Sequence, residues 1–224
     1  MATYVVIHGG GGTAAGWALV TAELRERGHD VVAMDLPCDD PSAGWSDYAD
    51  TVVDAVGERT DLVVVAHSAG GFIAPLVCDR LPVELIVFVA GMIPAPGETF
   101  MQWWTNTGYE ATTGGWSGDE TDIWYHDVPP ELAAADMQRD EGREHVPDEP
   151  WPVVKWPDVP TRYLLCRDDR CFPPEFTRRL VRERLNLVPD EMDGGHLVYL
   201  SRPEELASRL DAYWKENLYE NVKP

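Results

Sequence analysis

The sequence predicts an α/β fold in which a mostly parallel six-stranded sheet carries helices on both faces. Short apolar runs alternate with segments of helical spacing up to residue 90, and this alternation resumes after residue 158. The runs are continuously apolar, which is typical of parallel strands buried on both sides. Residues 91–158 interrupt the alternation and are predicted to form a cap or lid, inserted after the fourth strand.

Chain length and charge limit the class of protein. The 224 residues suit a single domain, residues 1–224, with a full core. A net charge of −21 argues against nucleic acids and anionic membranes as partners. No apolar run is long enough to span a membrane. The first strand begins at once, with no signal-peptide pattern, so a cytoplasmic location is expected.

The four cysteines are not arranged as a redox or metal motif. Cys38, Cys78, Cys166 and Cys171 form no Cys-x-x-Cys pair. Cys78 falls in an apolar helical segment and Cys166 in an apolar strand, so we predict reduced, buried thiols.

Apolar runs and helical spacing predict the elements of the first 90 residues. Strands are expected at residues 4–8, 31–34, 62–66 and 83–90. Apolar helix faces are formed by Trp17, Val20 and Leu24, by Tyr48, Val52 and Val56, and by Phe72, Ile73, Leu76 and Val77.

The second half is less regular. Within 91–158 only residues 130–139 predict a clear helix, and the segment carries six of the nine tryptophans, Trp103, Trp104, Trp116, Trp124, Trp151 and Trp156. A structureless loop of this length would be unusual in a compact domain. Further strands are expected at 161–166 and 186–188, with helices after Pro173 and Ser201 and a frayed tail after Asn217.

The third strand leads directly into a turn of small residues around Ser68. The sequence Ala66-x-Ser68-x-Gly70 is close to the Gly-x-Ser-x-Gly nucleophile elbow, a sharp strand-to-helix turn that exposes a serine hydroxyl. The alternative is a glycine-rich turn whose serine only caps the next helix.

A glycine loop, residues 9–12, follows His8 at the end of the first strand. Acyl transfer passes through an oxyanion, which is stabilised by backbone N–H donors with no side chain in the way. The amides of Gly10 and Ala69 are the predicted donors.

A candidate base and acid follow the last two strands. A serine needs a positioned base, and the base needs a carboxylate that fixes its tautomer. His196 follows the sixth strand, and Asp168 or Asp169 follows the fifth. The order Ser, Asp, His is that of a known hydrolase triad. His126, with Asp127 beside it, is interpreted as a surface or lid-packing histidine.

A dinucleotide site is the competing interpretation of the glycine loop. Residues 10–15 match Gly-x-Gly-x-x-Ala, and Asp35 ends the second strand. Tyr219 and Lys223 have the spacing of a dehydrogenase pair, but they lie in the terminal tail. This interpretation also leaves the elbow and His196 unexplained.

Taken together, these motifs resemble those of the α/β-hydrolase superfamily. The chain is most similar to the small esterase group of plant methylesterases and hydroxynitrile lyases, together with actinobacterial α/β hydrolases. The resemblance spans nearly the whole chain. It is carried by His8 with Trp17 nine residues later, by 67–71, by Asp169 to Phe176, and by 194–196.

The resemblance implies an α/β-hydrolase fold and a serine carboxylesterase that uses an acyl-enzyme. It assigns the acid to Asp169 rather than Asp168, with Ser68 as nucleophile and His196 as base. Hydroxynitrile lyases have a lysine where this chain has Leu197 and a threonine where it has Gly9, and both differences favour a hydrolase.

The expected substrate is a small or medium ester, with no metal and no organic cofactor. Trp104 and Trp124 are predicted to line the substrate pocket. The alternatives are a cofactor-free lyase or C–C bond hydrolase on the same scaffold, and a ligand receptor without turnover. The sequence leaves a homodimer open.

Overall fold

The computed structural model describes residues 1–110 and 119–222. Its strands form one parallel sheet in the order β2-β1-β3-β4-β5-β6. The strands are β1 (Thr3–Ile7), β2 (Asp30–Ala33), β3 (Leu62–His67), β4 (Val83–Val89), β5 (Thr161–Cys166) and β6 (Asp190–Met192). The predicted six-stranded α/β architecture is confirmed.

Helices connect the strands. They are α1 (Ala18–Glu26), α2 (Trp45–Val56), α3 (Ala74–Val77), α4 (Phe100–Asn106), α5 (Glu120–Trp124), α6 (Pro130–Asp140), α7 (Pro174–Leu185), α8 (Val198–Ser201) and α9 (Pro203–Val222). Short 3-10 turns precede α1 and α3, at Ala14–Trp17 and Ser68–Phe72.

The core lies on both faces of the sheet. Side chains alternate along each strand, so that Val64 and Ala66 pack in one apolar cluster and Val63 and Val65 in another. The first cluster includes residues of α2, α3 and α7, and the second includes residues of α1 and α9. Burial on both sides accounts for the continuous apolar runs of the strands.

The order in which strands are added to the sheet reverses at β1, because β2 lies on one side of it and β3 on the other. β1 pairs with β2 on one side and with β3 on the other, and Ile7 is in register with Ala66. Open parallel sheets bind ligands at such a switch point, in the crevice beyond the carboxyl ends of the strands. The ends of β1 and β3 are the positions of the glycine loop and of Ser68.

Two sequence predictions near the C-terminus were wrong. The last strand is β6, not residues 186–188, because Asn186 adopts a left-handed conformation (φ 55°) that ends α7, and Val188 is 91% exposed. The tail after Asn217 is not frayed, since α9 continues to Val222. The Asn217 side chain is buried and donates a hydrogen bond to the Glu84 carbonyl, which anchors this part of the helix.

The inserted segment, residues 91–158, contains more helix than the sequence predicted. α6 was expected, whereas α4 and α5 were not. The signal for α4 was present, because Thr99 and Gln102 form a reciprocal capping box.

Two tryptophans of the inserted segment pack into the apolar cluster on one face of the sheet. Trp103 and Trp151 are buried, and their Nε1 atoms donate to the carbonyls of Ile93 (3.0 Å) and Phe72 (2.7 Å). Trp116 lies outside the described residues. The boundaries of the cap, and its separate status within one domain, stay predictions.

The four cysteines are free thiols, and three of them are buried, whereas Cys78 is half-buried. The prediction of buried thiols is therefore wrong for Cys78, which lies just beyond the short helix α3. Across the described ranges, no helix has both the length and the apolar character needed to span a membrane.

Candidate active site

Ser68 occupies a strained turn directly after β3. Its φ of 49° lies in the left-handed region, which is unusual for a residue with a side chain. The Met92 N–H donates to the Ser68 carbonyl over 2.8 Å. A Cβ atom on Gly71 would lie 1.9 Å from the Met92 carbonyl oxygen, so this close approach requires glycine. The turn therefore has the geometry of a nucleophile elbow.

The glycine loop lies against this elbow. A Cβ atom on Gly9 would lie 2.8 Å from Ser68 Cβ, and one on Gly10 would lie 3.8 Å from Ala69 Cβ. The structure thus brings the two predicted oxyanion donors, Gly10 and Ala69, to neighbouring positions. A cavity of about 10 Å³ lies against both residues, which is room for one water-sized group.

The His8 ring is hydrogen-bonded to the first residue of the glycine loop. Its Nδ1 is 2.7 Å from the Gly9 carbonyl oxygen, and its Nε2 accepts a hydrogen bond from the Leu36 N–H over 3.0 Å. Both contacts are satisfied by a neutral ring that is protonated on Nδ1. Burial lowers the pKa of His8 to about 4, which keeps the ring neutral near pH 7.

The structure places Asp169, not Asp168, on His196. His196 Nδ1 lies 2.8 Å from Asp169 Oδ2, and both side chains are 1% exposed. The other oxygen, Asp169 Oδ1, accepts from the N–H groups of Cys171 and Phe172, each over 2.8 Å. Asp168 instead accepts from the Gly194 N–H. The carboxylate of Asp169 is therefore fixed with one oxygen left for the imidazole.

His67 connects the elbow to His196. The two rings are 4.8 Å apart between centroids, and His67 Nε2 donates to the His196 carbonyl over 2.9 Å. Burial, together with the nearby His196, lowers the pKa of His67 well below its usual value, so the ring is neutral.

His196 Nε2 is buried and has no hydrogen-bond partner among the described residues. The Ser68 hydroxyl therefore does not bond to it in this arrangement. Contacts between a nucleophile and its base are often long in ligand-free enzymes and shorten with substrate.

Of the two predicted pocket tryptophans, Trp124 lies next to His196. Their rings meet edge to face, with centroids 5.0 Å apart. Trp104 lies further out and packs on Phe172, whose ring is itself 5.1 Å from His196.

Sequence reasoning missed one residue at this site. Asp127, at the turn after α5, accepts the Gly195 N–H through Oδ2 over 2.7 Å. Its neighbour His126 also approaches Gly195. The available signal was the pair His126-Asp127 in the inserted segment, but no local spacing connects it to a turn almost 70 residues away.

Residues of the competing dinucleotide interpretation have other positions. Asp35 accepts the Ala14 N–H over 2.7 Å and so caps the turn after the glycine loop. Tyr219 is 75% exposed on α9, and Lys223 lies outside the described residues. Within 1–110 and 119–222, no group of three or more His, Cys, Asp or Glu side chains is arranged to hold a metal ion.

The chain matches a sequence model of the alpha/beta hydrolase family over residues 4–209. It is 28% identical over 253 aligned residues to a rice protein named probable esterase PIR7A (Oryza sativa), with 92% of this chain and 94% of the relative covered. It is 36% identical over 104 residues to methylesterase 7 of Arabidopsis thaliana, with 41% and 40% covered.

Solved structures share the fold. An extracellular alpha/beta-hydrolase from a Paenibacillus species superposes with a TM-score of 0.78 at 20% identity, covering 95% of this chain and 98% of that one. Polyneuridine aldehyde esterase superposes with a TM-score of 0.73 at 18% identity, covering 95% and 99%.

Proposed function

The chain belongs to the alpha/beta hydrolase family, and on that premise we propose that it is a serine carboxylesterase acting on a small or medium ester. One observation carries the proposal: the buried His196–Asp169 pair is joined to the strained turn that carries Ser68. The link is the hydrogen bond that the His67 ring donates to the His196 carbonyl. A histidine that is fixed by a carboxylate and lies beside a serine in a sharp turn is the arrangement that activates the serine hydroxyl. The rice relative named a probable esterase, which aligns along 94% of its own length, supports the same class of reaction.

In the proposed mechanism, the Ser68 Oγ attacks the ester carbonyl carbon while His196 Nε2 takes the hydroxyl proton. Asp169 holds Nδ1 protonated and stabilises the imidazolium that forms. The amides of Gly10 and Ala69 donate to the carbonyl oxygen as it becomes an oxyanion. His196 then returns the proton to the leaving alcohol, which breaks the ester bond and leaves an acyl group on Ser68.

Water completes the cycle. His196 removes a proton from a water molecule, which attacks the acyl carbon, and the proton then passes back to Ser68 Oγ as the carboxylic acid leaves. No step of this mechanism needs a metal or an organic cofactor. The unpartnered Nε2 of His196 is the atom that carries the proton in both halves.

A pair of assays tests the proposal. Purified protein is incubated with short p-nitrophenyl esters, and separately with a fluorophosphonate probe, with the Ser68→Ala variant as control. Turnover together with labelling that depends on Ser68 supports the esterase. Labelling without turnover of any ester favours the lyase, the C–C bond hydrolase or the receptor, and absence of both overturns the assignment of the nucleophile.

A further inference from the structure

The turn after α5, residues 125–128, docks on the turn that carries His196. Asp127 Oδ2 accepts the Gly195 N–H over 2.7 Å, and the preceding Trp124 ring meets the His196 ring. α5 and this turn belong to the inserted segment, whereas Asp169 and His67 come from the ends of β5 and β3. A part of the molecule outside the sheet therefore touches the candidate base directly.

The contact at Gly195 leaves no room for a side chain unless Asp127 and His126 move. A Cβ atom there would lie 2.6 Å from Asp127 Oδ1 and 2.7 Å from His126 Nε2. Both polar atoms are buried, and neither has a hydrogen-bond partner among the residues that the structure describes. Buried polar atoms without partners are uncommon, and each one calls for a physical reason. Here the hydrogen bond from the Gly195 N–H to Asp127 Oδ2 holds Asp127 Oδ1 and His126 Nε2 against the backbone.

His196 is thus fixed at three points. Asp169 holds the ring at Nδ1, and His67 holds the residue's own carbonyl. Asp127 holds the amide of the residue immediately before it. The backbone around His196 has to be fixed because a general base displaced by about 1 Å can lose on the order of 100-fold in rate.

From this geometry we infer that Asp127 is a positioning residue, which fixes His196 by binding the Gly195 amide and so couples docking of the inserted segment to the activity of the base. The inference rests on the proposed function, because His196 is the base only if the chain is a serine hydrolase. Asp127 acts through the backbone and does not itself touch the reacting atoms.

The kinetic test compares Asp127→Ala with Asp127→Asn. The alanine variant loses the acceptor, so kcat should fall about 10- to 100-fold with little change in KM. Asparagine keeps an acceptor oxygen, so Asp127→Asn should retain most of the wild-type kcat. The matched control is Asp122→Ala on α5, the helix that precedes this turn. The Asp122 carboxylate is exposed and pairs with Arg170 at the surface, so its removal should leave kcat unchanged.

A second variant tests the same contact without altering the carboxylate. Gly195→Ala should lower kcat, because the new methyl group displaces Asp127 and His126. Adding Asp127→Ala to it should cause little further loss, since both changes break one contact and their effects are not additive. Full additivity of the two losses would contradict the inference, as would an Asp122→Ala loss equal to that of Asp127→Ala.

An NMR measurement separates this inference from the proposed function. The downfield signal of the His196 Nδ1 proton, bonded to Asp169, should be sharp in the wild type and in Asp127→Asn and broadened in Asp127→Ala. If no variant hydrolyses any ester but this broadening occurs, the esterase assignment fails and the positioning role stands. If esters are hydrolysed and Asp127→Ala changes neither kcat nor the signal, the inference is overturned.

Discussion

The ring of His67 donates a hydrogen bond to the backbone carbonyl of His196 over 2.9 Å. The residue before the candidate nucleophile therefore contacts the candidate base, although the two lie 129 positions apart in the sequence. Because burial keeps His67 neutral, this link adds no charge beside His196. This hydrogen bond joins the end of β3, which leads into Ser68, to the turn after β6, which carries His196. The proposed reaction requires these two residues to lie close together.

The first prediction concerns the nucleophile. Ser68→Ala should lower kcat for any hydrolysed ester by about 10⁴-fold or more, because the members of a triad act as a unit. The fold should survive, since only a hydroxyl at a half-buried position is lost. Steady-state kinetics and a thermal melt check both parts. A variant with more than a tenth of the wild-type turnover would rule out Ser68 as nucleophile.

The second prediction compares the two adjacent aspartates. Asp169→Asn should reduce kcat on the order of 10⁴-fold, because an amide at this position disfavours the tautomer of His196 that can accept the serine proton. Asp168→Asn is the matched control. Its carboxylate accepts the Gly194 N–H, which an amide oxygen can also do, so a loss of less than about 10-fold is expected. A larger loss in Asp168→Asn would reverse the assignment of the acid.

The third prediction concerns the tryptophans of the inserted segment. Trp124 meets His196, so Trp124→Ala should change the ranking of esters by acyl size, by about 1–3 kcal/mol between substrates that differ by a few methylenes. Trp104→Ala should change the ranking less, because Trp104 contacts Phe172 one layer further out.

The control for this prediction is Trp151→Phe, which removes the hydrogen bond to the Phe72 carbonyl. It should lower the melting temperature and leave the ranking of esters unchanged. If the Trp124→Ala and Trp104→Ala variants keep the wild-type ranking, the inserted segment does not shape the substrate pocket.

The fourth prediction is a pH dependence of stability that arises from His8. Burial lowers its pKa from 6.5 to about 4 in the folded protein. Between these values the unfolded chain binds more protons, so stability is full above pH 6.5 and decreases as the pH falls towards 4. The loss from this residue amounts to about 3 kcal/mol.

The variant His8→Gln isolates that effect, because the glutamine oxygen can still accept the Leu36 N–H. Urea unfolding at several pH values between 4 and 7.5 should give a shallower pH dependence for the variant than for the wild type. Parallel curves for the two proteins would show that His8 does not titrate as its burial implies.

The sequence alone determined the first five strands of the sheet, the glycine loop and the order of the candidate triad. These features are encoded locally. A strand buried on both faces must be apolar throughout, as in β3, and a sharp turn such as that at Ser68 needs small neighbours. A chain that satisfies both requirements at the ends of successive strands has few other ways to fold, so Ser68, the Gly10 loop and His196 could be located without coordinates.

Only the tertiary structure decided which side chains meet. Spacing alone leaves Asp168 and Asp169 equivalent, and only the family resemblance favoured Asp169. The structure shows why they differ: the turn after β5 directs Asp168 to Gly194 and Asp169 to His196. Asp127 reaches Gly195 across 68 positions. That contact depends on how the inserted segment docks, and docking is determined by packing between distant surfaces, which leaves no periodic pattern in the sequence.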